Sequence, residues 1–242
     1  MTAKKPRSRR RPLLSVIVPV YNERRTIDVL LQKVRAVPID KEIIVVDGAS
    51  EDGTVELLRL EEKVPGTRVF YEERRSGRGH ALKLGIRKAR GHVVIFQDAD
   101  LELDPNDYPA LLAPIIARKA DVVFGSRFLR GRPRMTFLQY WGNKAVNWAV
   151  NILFRPELRG FWLTDVETCY QVFRRECLDG VEIKANDFAF TVELTVRLVK
   201  EGYRLTEIPI SYFPRGRAEG KKVYWADGFA ALWTILVLRL KG

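Results

Sequence analysis

The stretch VVIFQDADLE, residues 93–102, decides the fold of this 242-residue chain. Four apolar residues in a row predict a strand that is buried on both faces, as in a parallel sheet. Alternate residues of an extended chain point the same way, so Asp98, Asp100 and Glu102 would present carboxylates to one side. Because open α/β sheets bind ligands at the carboxyl ends of their strands, and oxygen ligands suit Mg²⁺ or Mn²⁺, we predict a metal site that binds a diphosphate. A solvated loop after a strand is the alternative.

Strands and helices alternate on both sides of this stretch. Apolar runs predict strands at residues 13–20, 42–47, 68–72, 93–96 and 121–126, and helical spacing predicts helices at 26–37, 54–63, 77–90 and 105–119. Asn22 is the predicted N-cap of the first helix. Such alternation is typical of a parallel sheet with helices on both faces and right-handed crossovers. The predicted fold class is therefore α/β, with a mostly parallel, Rossmann-like sheet.

Polar residues gather where these strands end. They are Tyr21, Glu23, Asp47, Asp98, Asp100, Ser126 and Arg127. The carboxyl ends of parallel strands meet at one edge of a sheet, which is where a ligand crevice is expected. This clustering indicates a binding site more strongly than any single motif does.

The alternation loosens after residue 127. Helices are predicted at residues 137–154, 188–200 and 224–240, a mixture of turn and strand at 163–173, and a late strand at 206–213 that we expect to be antiparallel. On the first of these helices Asn143, Asn147 and Asn151 lie four residues apart and form one polar stripe. Contact with a polar substrate and hydrogen bonding between helices are both open interpretations of that stripe.

The overall charge points to an anionic partner. The chain has a net charge of +12, which is typical of proteins that bind nucleic acid, phosphorylated ligands or acidic lipid surfaces. Cys169 and Cys177 are the only cysteines, and nothing requires them to pair, which favours a reducing compartment. We find no apolar run long enough to span a bilayer and no secretory signal, so a cytoplasmic location is expected.

The segments at both ends of the sequence have compositions that are compatible with membrane contact. Residues 1–12 carry six basic side chains and no acid, and we predict a disordered tail that either contacts anionic lipid or aids solubility. Residues 223–242 are predicted to form an amphipathic helix, too short and too interrupted by Asp227 and Arg239 to span a bilayer. It would lie in a membrane interface or pack against the sheet. The remaining residues, 13–222, would form the main domain.

The motifs taken together resemble glycosyltransferase family 2, which has the GT-A fold. Within it the chain looks like the polyprenyl-phosphate branch, similar to dolichol-phosphate mannose synthase. The resemblance covers about residues 13–222 and rests on the segments 15–23, 45–54, 77–82, 97–100, 125–127 and 164–174. It implies a GT-A domain with a nucleotide-sugar donor.

The resemblance also implies roles on the donor side of the crevice. The donor would be bound by Pro19, Tyr21, Glu23, Asp47, Arg78 and Asp98. Asp98 and Asp100 would hold the divalent ion on the donor diphosphate, with Glu102 as a possible third ligand. The chain departs from the family pattern at Gly48, which replaces a second acid, and at Arg78, which replaces a common lysine and preserves a charge near phosphate.

On the acceptor side, the resemblance places cations against a phosphate. These are Arg127, Arg215, Arg217, Lys221 and Lys222. A lipid monophosphate needs no general base because its second pKa of about 6 leaves it anionic, but it does need cationic positioning, which arginine provides. Asp165 is a further candidate acid on this side, and Glu193 is interpreted as structural. The candidate catalytic residues are therefore Asp98, Asp100, Arg127 and Asp165.

We therefore predict an inverting, metal-dependent transfer of a hexose to a polyprenyl or dolichyl phosphate. The donor would be of the GDP-mannose or UDP-glucose type, and the protein would sit at the inner face of the cell membrane as a peripheral protein. A transferase that uses a sugar or protein hydroxyl as acceptor is the main alternative. A basic nucleotide- or nucleic-acid-binding protein without transferase activity is a further one, but it would not explain acids at the strand ends. A dehydrogenase is disfavoured, because residues 77–82 supply only two of the three fingerprint glycines and follow the third strand.

Overall fold

The structure is a computed structural model that describes residues 13–216 and 225–241, with side chains left out at 225–227. The predicted basic tail at residues 1–12 lies outside the described residues. So do Arg217, Lys221 and Lys222, three of the five cations expected at an acceptor phosphate.

Seven strands and eight α-helices make up the described part of the chain. The strands are β1 (Leu14–Val20), β2 (Lys41–Asp47), β3 (Thr67–Tyr71), β4 (Val93–Phe96), β5 (Val122–Ser126), β6 (Gln171–Arg174) and β7 (Leu205–Pro209). The helices are α1 (Ile27–Ala36), α2 (Thr54–Glu61), α3 (Arg78–Lys88), α4 (Tyr108–Ile116), α5 (Phe137–Leu153), α6 (Arg155–Leu158), α7 (Ala189–Lys200) and α8 (Trp225–Leu240). Short 3₁₀ turns occupy Pro105–Asp107 and Arg175–Leu178.

All seven strands belong to one sheet, in the order β3-β2-β1-β4-β6-β5-β7. Neighbouring strands are parallel except at β6, which is antiparallel to both β4 and β5. The predicted mixed sheet with a late antiparallel strand is therefore confirmed, but the antiparallel strand is not the one expected. β7, the counterpart of the predicted strand at residues 206–213, runs parallel to β5. Alternating hydrophobicity reports a half-exposed face and carries no information about strand direction, which explains the error.

The predicted helix at residues 105–119 is shorter in the structure. It opens with the 3₁₀ turn, where the Asp104 side chain accepts a hydrogen bond from the backbone N of Asn106. The α-helical part ends at Ile116, and Arg118 then adopts a left-handed φ of +55°. That conformation stops a helix, and it cannot be read from apolar spacing.

Two apolar layers sandwich the sheet, as strand alternation dictates. Val16 and Val18 of β1 pack in the layer that contains α1 and α4. Ile17 points the other way, into the layer that contains α3, α5, α7 and α8. At Gly85 of α3 the helix approaches the sheet so closely that an added Cβ would lie 2.3 Å from Cγ2 of Ile17. These layers fix the carboxyl edge of the sheet, where the site lies.

The C-terminal helix packs on helices and not directly on the sheet. α8 lies against α5 and α7, with Ala231 and Ile235 buried. On the opposite side of α8, Phe229 is 69% exposed and Trp233 is 67% exposed. Among the described residues, no helix combines the length and the apolar character needed to cross a bilayer. Packing is therefore shown for one face of α8, and the other face exposes aromatic side chains.

Candidate active site

The predicted polar residues meet around one cavity of about 270 Å³ at the carboxyl edge of the sheet. Those that line it are Pro19, Tyr21, Glu23, Arg78, Asp98, Asp100, Glu102, Arg127 and Arg215. Asp47 and Asp165 do not line it. The crevice expected from the strand ends is therefore present, with acids and arginines facing the same space.

A wider cleft of about 770 Å³ lies at the opposite edge of the sheet, beside Val93 at the start of β4. Two of its three arginines are already paired with acids. Arg174 lies 2.8 Å from Asp121, and Arg175 lies 3.9 Å from Asp179. Because these charges neutralise one another, we assign the chemistry to the smaller cavity.

Asp98 is held by an arginine on the first turn of α3. Its Oδ1 accepts a hydrogen bond of 2.9 Å from Nε of Arg78, and Nη2 of Arg78 lies 2.8 Å away. Nη1 of the same guanidinium donates to Oγ1 of Thr191 on α7. Burial by itself would lower the pKa of Arg78, but the attraction of Asp98 outweighs it and the pKa is raised. This side of the cavity therefore contains a fixed cation directly beside a carboxylate.

Asp100 is the more accessible of the two acids. Its side chain is 28% exposed, and its Oδ2 lies 3.9 Å from Nη2 of Arg215. Its Oδ1 accepts a hydrogen bond from the backbone N of Glu102. A carboxylate that is partly hydrated and faces a cavity is well suited to bind a hard cation.

Glu102 does not join the other two acids. Its carboxylate accepts hydrogen bonds from the backbone N of Arg215, at 2.8 Å, and from the hydroxyl of Tyr212, at 3.1 Å. Within residues 13–216 and 225–241, no group of three His, Cys, Asp or Glu side chains is arranged to hold a metal. The three-acid cluster expected from alternation is therefore absent there. β4 ends at Phe96 and Leu101 adopts a φ of +61°, so the chain is not extended where the acids lie.

Arg127 follows β5 and is clamped by Asp165. Its Nε donates to Oδ2 of Asp165 at 2.8 Å, and its Nη2 donates to Oδ1 at 2.7 Å. Nη2 also donates to Asn143 on α5, and the guanidinium lies 5.4 Å from the ring centroid of Tyr212. Asp165 is fully buried, and its charge raises the pKa of Arg127 although burial opposes this. Asp165 thus orients Arg127 from behind and has no access to the cavity.

The loop that carries Asp165 is held on both sides. Asn151 of α5 exchanges two hydrogen bonds with the backbone of Leu163, and Asn147 bonds to the backbone of Thr164 and Val166. Both amides are buried, so the polar stripe on α5 is mainly structural, and Asn143 is its one member that lines the cavity.

Glu207 of β7 binds the same loop from the sheet. Its carboxylate accepts hydrogen bonds from the backbone N of Thr164, the hydroxyl of Thr164 and the backbone N of Asp165. Burial raises the pKa of Glu207 from 4.5 to about 7. Sequence reasoning missed this residue, because the only signal was an acid in an otherwise apolar strand. Glu193, in contrast, has the structural role expected of it, since it caps the backbone N of Lys184 and pairs with Arg197.

Arg215 reaches the cavity from the segment after β7. Its Nη2 donates to Oε2 of Glu23 at 2.9 Å, so it links the loop after β1 to the acidic side of the site. This is the one predicted member of the 215–222 basic loop that the structure describes. The pairing of Glu23 with Arg215 was not foreseeable, because the two lie far apart in sequence.

Asp47 has a local role at the end of β2. Its carboxylate accepts hydrogen bonds from the backbone N and the hydroxyl of Ser50, and the side chain is buried. Asn22 binds the same loop: its Oδ1 accepts from the backbone N of Glu51, so it is not the N-cap of α1, which is Thr26. Asp47 therefore shapes the cavity wall in this structure and does not contact the cavity itself.

Several lining residues were not among the predicted site residues. They include Arg75, Gln139, Glu167, Cys169, Thr191 and Tyr212. The Arg75 guanidinium lies 4.3 Å from the ring centroid of Tyr21. Burial and the nearby Asp98 raise the pKa of Cys169, which favours the protonated thiol. These residues come together only in the folded chain.

The fold and the site define a class of enzyme. An α/β sheet with acids and arginines around a cavity at its carboxyl edge is typical of proteins that bind phosphorylated ligands. A family model described as glycosyl transferase family 2 matches residues 15–181, which is more than half of the chain. The chain belongs to this family and is a glycosyltransferase.

Curated relatives agree with this assignment. An undecaprenyl-phosphate mannosyltransferase from Micrococcus luteus is 32% identical over 213 residues, which cover 85% of each chain. A dolichol-phosphate mannosyltransferase from Pyrococcus furiosus is 29% identical over 215 residues, covering 86% of this chain and 58% of that protein. The resemblance inferred from the sequence motifs is confirmed.

Solved structures share the fold. A glucosyl-3-phosphoglycerate synthase from Mycobacterium tuberculosis, in complex with Mn²⁺, UDP and phosphoglyceric acid, superposes with a TM-score of 0.69 at 22% identity, covering 94% of this chain and 78% of that one. A mannosyltransferase from Pyrobaculum calidifontis, in complex with GDP-Man and Mn²⁺, has a TM-score of 0.64 at 24% identity, with 97% and 66% coverage. The predicted GT-A fold is confirmed.

Proposed function

We propose that this chain transfers a hexose from a nucleotide-sugar to a polyprenyl phosphate, with inversion at the anomeric carbon. The observation that carries the proposal is the single cavity in which Asp98 and Asp100 face Arg127 and Arg215. Acids suit a metal–diphosphate group and arginines suit a phosphate monoester, so one cavity accommodates both ionic partners of such a reaction. The two mannosyltransferase relatives, which are 32% and 29% identical to this chain, support a polyprenyl phosphate as the acceptor.

The residues present fit a divalent metal ion with two protein ligands. Asp98 and Asp100 would hold Mg²⁺ or Mn²⁺, which usually complete their shell with water and substrate phosphates. Glu102 does not fit as a third ligand, because Arg215 and Tyr212 already use its carboxylate. When bound, the ion would act as a Lewis acid that stabilises the departing diphosphate.

Arg78 would serve the donor from the protein side. It is buried, carries a permanent charge and lies at the first turn of α3 beside Asp98. A positively charged group and the amino end of a helix both favour an anion at this place. The diphosphate would therefore lie between α3 and the Asp98–Asp100 loop.

The acceptor phosphate would be positioned by Arg127 and Arg215. Asp165, Asn143 and Tyr212 fix the plane of the Arg127 guanidinium, and its Nη1 makes no hydrogen bond within the described residues. A pre-oriented guanidinium loses little side-chain entropy when it binds a phosphate. Because the monoester arrives as an anion, the reaction needs no general base, and the buried Asp165 would act through Arg127.

A donor and acceptor screen tests the proposal. The purified protein would be incubated with C55 polyprenyl phosphate in detergent and Mn²⁺ or Mg²⁺, with GDP- and UDP-sugars offered in turn and product mass recorded. We expect one glycosyl phosphate lipid, abolished by a chelator, and NMR of the product should show the inverted anomer. The unphosphorylated polyprenol and an alkyl glycoside serve as matched acceptors. Transfer to either hydroxyl in place of the phosphate would refute the acceptor assignment and favour the hydroxyl-acceptor alternative.

We further propose a peripheral location at the cytoplasmic face of a membrane. Exposed apolar side chains run along α5 and α8: Phe137, Leu138, Trp141, Trp148, Ile152, Phe229, Trp233, Leu236 and Leu240. The loop before α5 adds exposed basic residues, Arg130, Arg132 and Arg134. Aromatic side chains beside cations are typical of surfaces that bind anionic lipid interfaces, which is where a polyprenyl phosphate resides.

A further inference from the structure

Glu72, the residue that follows β3, has a buried carboxylate oxygen with no partner. Its backbone N donates to the carbonyl of Asp47 at 2.9 Å, which ties the end of β3 to the end of β2. Its side chain is 5% exposed, and its Oε1 is hydrogen-bonded to Nδ1 of His80. Its Oε2 is buried and has no hydrogen-bond partner within the described residues. An unpaired buried carboxylate oxygen is costly, so its presence requires a reason.

The unpaired oxygen lies beside Gly48, a residue that lines the cavity. Gly48 and Tyr21 line the cavity, and Glu72 does not. A Cβ added to Gly48 would lie 3.7 Å from Oε2 of Glu72 and 3.9 Å from Cβ of Tyr21. The carboxylate therefore has a glycine, and no larger side chain, as its neighbour on the cavity lining. An acidic side chain at position 48 would stand next to Glu72 and repel it, and glycine avoids that repulsion.

The same part of the cavity is suited to a flat ring. Pro19 and Tyr21 provide apolar and aromatic surface there, and the Arg75 guanidinium lies over the Tyr21 ring. Bases stack on aromatic and guanidinium planes without regard to sequence, so stacking alone would not choose among them. Discrimination would need a polar group near the edge of the ring, and Oε2 of Glu72 lies beside Gly48, which lines the cavity together with Pro19 and Tyr21.

We propose that Glu72 recognises the base of the donor and that this base is guanine. A carboxylate only accepts hydrogen bonds, and guanine presents two adjacent donors, N1–H and the N2 amino group. Uracil offers a single N3–H between two carbonyl oxygens that would repel a carboxylate. The terminal torsion of a glutamate is soft, so Oε2 can turn towards the cavity, and Oε1 can accept a second hydrogen bond besides that of His80. This inference rests on the proposed nucleotide-sugar function and narrows the donor to a guanosine diphosphate sugar.

Calorimetric titration of three nucleotides tests the inference. GDP, UDP and IDP, which lacks the 2-amino group, would be titrated in the presence of Mn²⁺ into wild type, Glu72→Gln, Gly48→Ala and Glu73→Gln. For wild type we expect GDP to bind at least about tenfold more tightly than IDP or UDP, because a hydrogen bond to a charged group is lost with either. Glu72→Gln should lower the affinity for GDP about 10- to 100-fold and leave the affinity for UDP unchanged. Glu73 is the exposed neighbour, and Glu73→Gln should match wild type.

The Gly48→Ala variant gives a second measurement that does not depend on replacing a buried acid. Its methyl group would lie 3.7 Å from Oε2, and we expect it to weaken the binding of GDP more than that of UDP. Equal weakening of GDP and UDP by Glu72→Gln would mean that Glu72 is merely structural and would overturn the inference. The inference would also be overturned if wild type bound GDP and IDP with equal affinity. If wild type binds none of the three nucleotides, the proposed function itself is wrong.

Discussion

At the residue scale, the site is a set of charges whose partners are already in place. Arg127 is held by Asp165, Arg78 is paired with Asp98, and Arg215 is paired with Glu23. Buried or half-buried ion pairs contribute little net stability, but they hold side chains in one orientation. Their effect here is a cavity whose charged side chains are already oriented before any substrate binds.

Asp100 is the residue whose loss should affect catalysis most and folding least. Asp100→Ala should lower kcat with Mn²⁺ by more than about 100-fold, because it removes the more accessible of the two proposed oxygen ligands of the ion. Its melting temperature should stay close to that of wild type, since the side chain is partly exposed and accepts one backbone hydrogen bond. Steady-state kinetics and thermal denaturation measure the two effects.

Asp179→Ala is the matched control for that prediction, because Asp179 is an exposed acid at the opposite edge of the sheet. It should keep the kcat of wild type. A fully active Asp100→Ala enzyme would show that the cation site lies elsewhere.

At the scale of elements, two structural units support the site from behind. The loop at residues 163–166 is held between α5 and β7, and it carries Asp165 to Arg127. α3 packs tightly on β1 and carries Arg78 to Asp98. Changes in these supports should therefore alter stability first and the site second.

Glu207, which binds the loop at residues 163–166, should make the free energy of unfolding depend on pH. Its folded-state pKa of about 7 lies above the ordinary 4.5, so it contributes stability below about pH 4.5 that is lost as pH rises to about 7. Urea unfolding of wild type and Glu207→Gln should give free energies whose difference changes by up to about 3 kcal/mol over this range. Wild type should lose stability relative to the variant as pH increases.

Glu56→Gln, at an exposed position on α2, is the control for that titration. Its unfolding free energy should follow wild type at every pH. Parallel profiles for wild type and Glu207→Gln would contradict the assignment of the pH dependence to Glu207.

A substitution at Gly85 tests the close packing of α3 on β1. Gly85→Ala would place a Cβ 2.3 Å from Cγ2 of Ile17, so α3 must shift, and we expect destabilisation of about 1–3 kcal/mol. Gly142→Ala is the matched control on α5, where a Cβ meets no atom within 4 Å, and it should stabilise by up to about 1 kcal/mol. Chemical denaturation measures both. Equal effects of the two substitutions would show that α3 is not packed this closely.

At the scale of the whole molecule, the apolar surface of α5 and α8 and the net charge of +12 act together. Trp233→Ser should lower binding to anionic vesicles about tenfold, because it removes an interfacial aromatic side chain. Leu60→Ser, at an equally exposed apolar position on α2, should leave binding unchanged. Vesicle co-sedimentation at several salt concentrations measures both. Equal losses for the two variants, or binding to neutral vesicles that is just as strong, would refute a specific membrane face.

Much of this organisation could be predicted from the sequence alone. Apolar runs and helical spacing located β1 to β5 and α1 to α4 to within a few residues, since these periods are local properties of the chain. The clustering of polar residues at strand ends located the cavity, because parallel strands bring their carboxyl ends to one edge. The family motifs predicted that the chain is a glycosyltransferase.

Only the tertiary structure decided which charges meet. Arg127 with Asp165, Arg215 with Glu23, and Glu207 with the loop at 163–166 are contacts between residues distant in sequence, and no local pattern encodes them. The direction of β7 was likewise set by its pairing with β5, since the pleat is the same in both directions. The sequence by itself determined the elements and the edge at which the site lies, because periodicity is local. The fold determined which side chains face the cavity, because that depends on long-range packing.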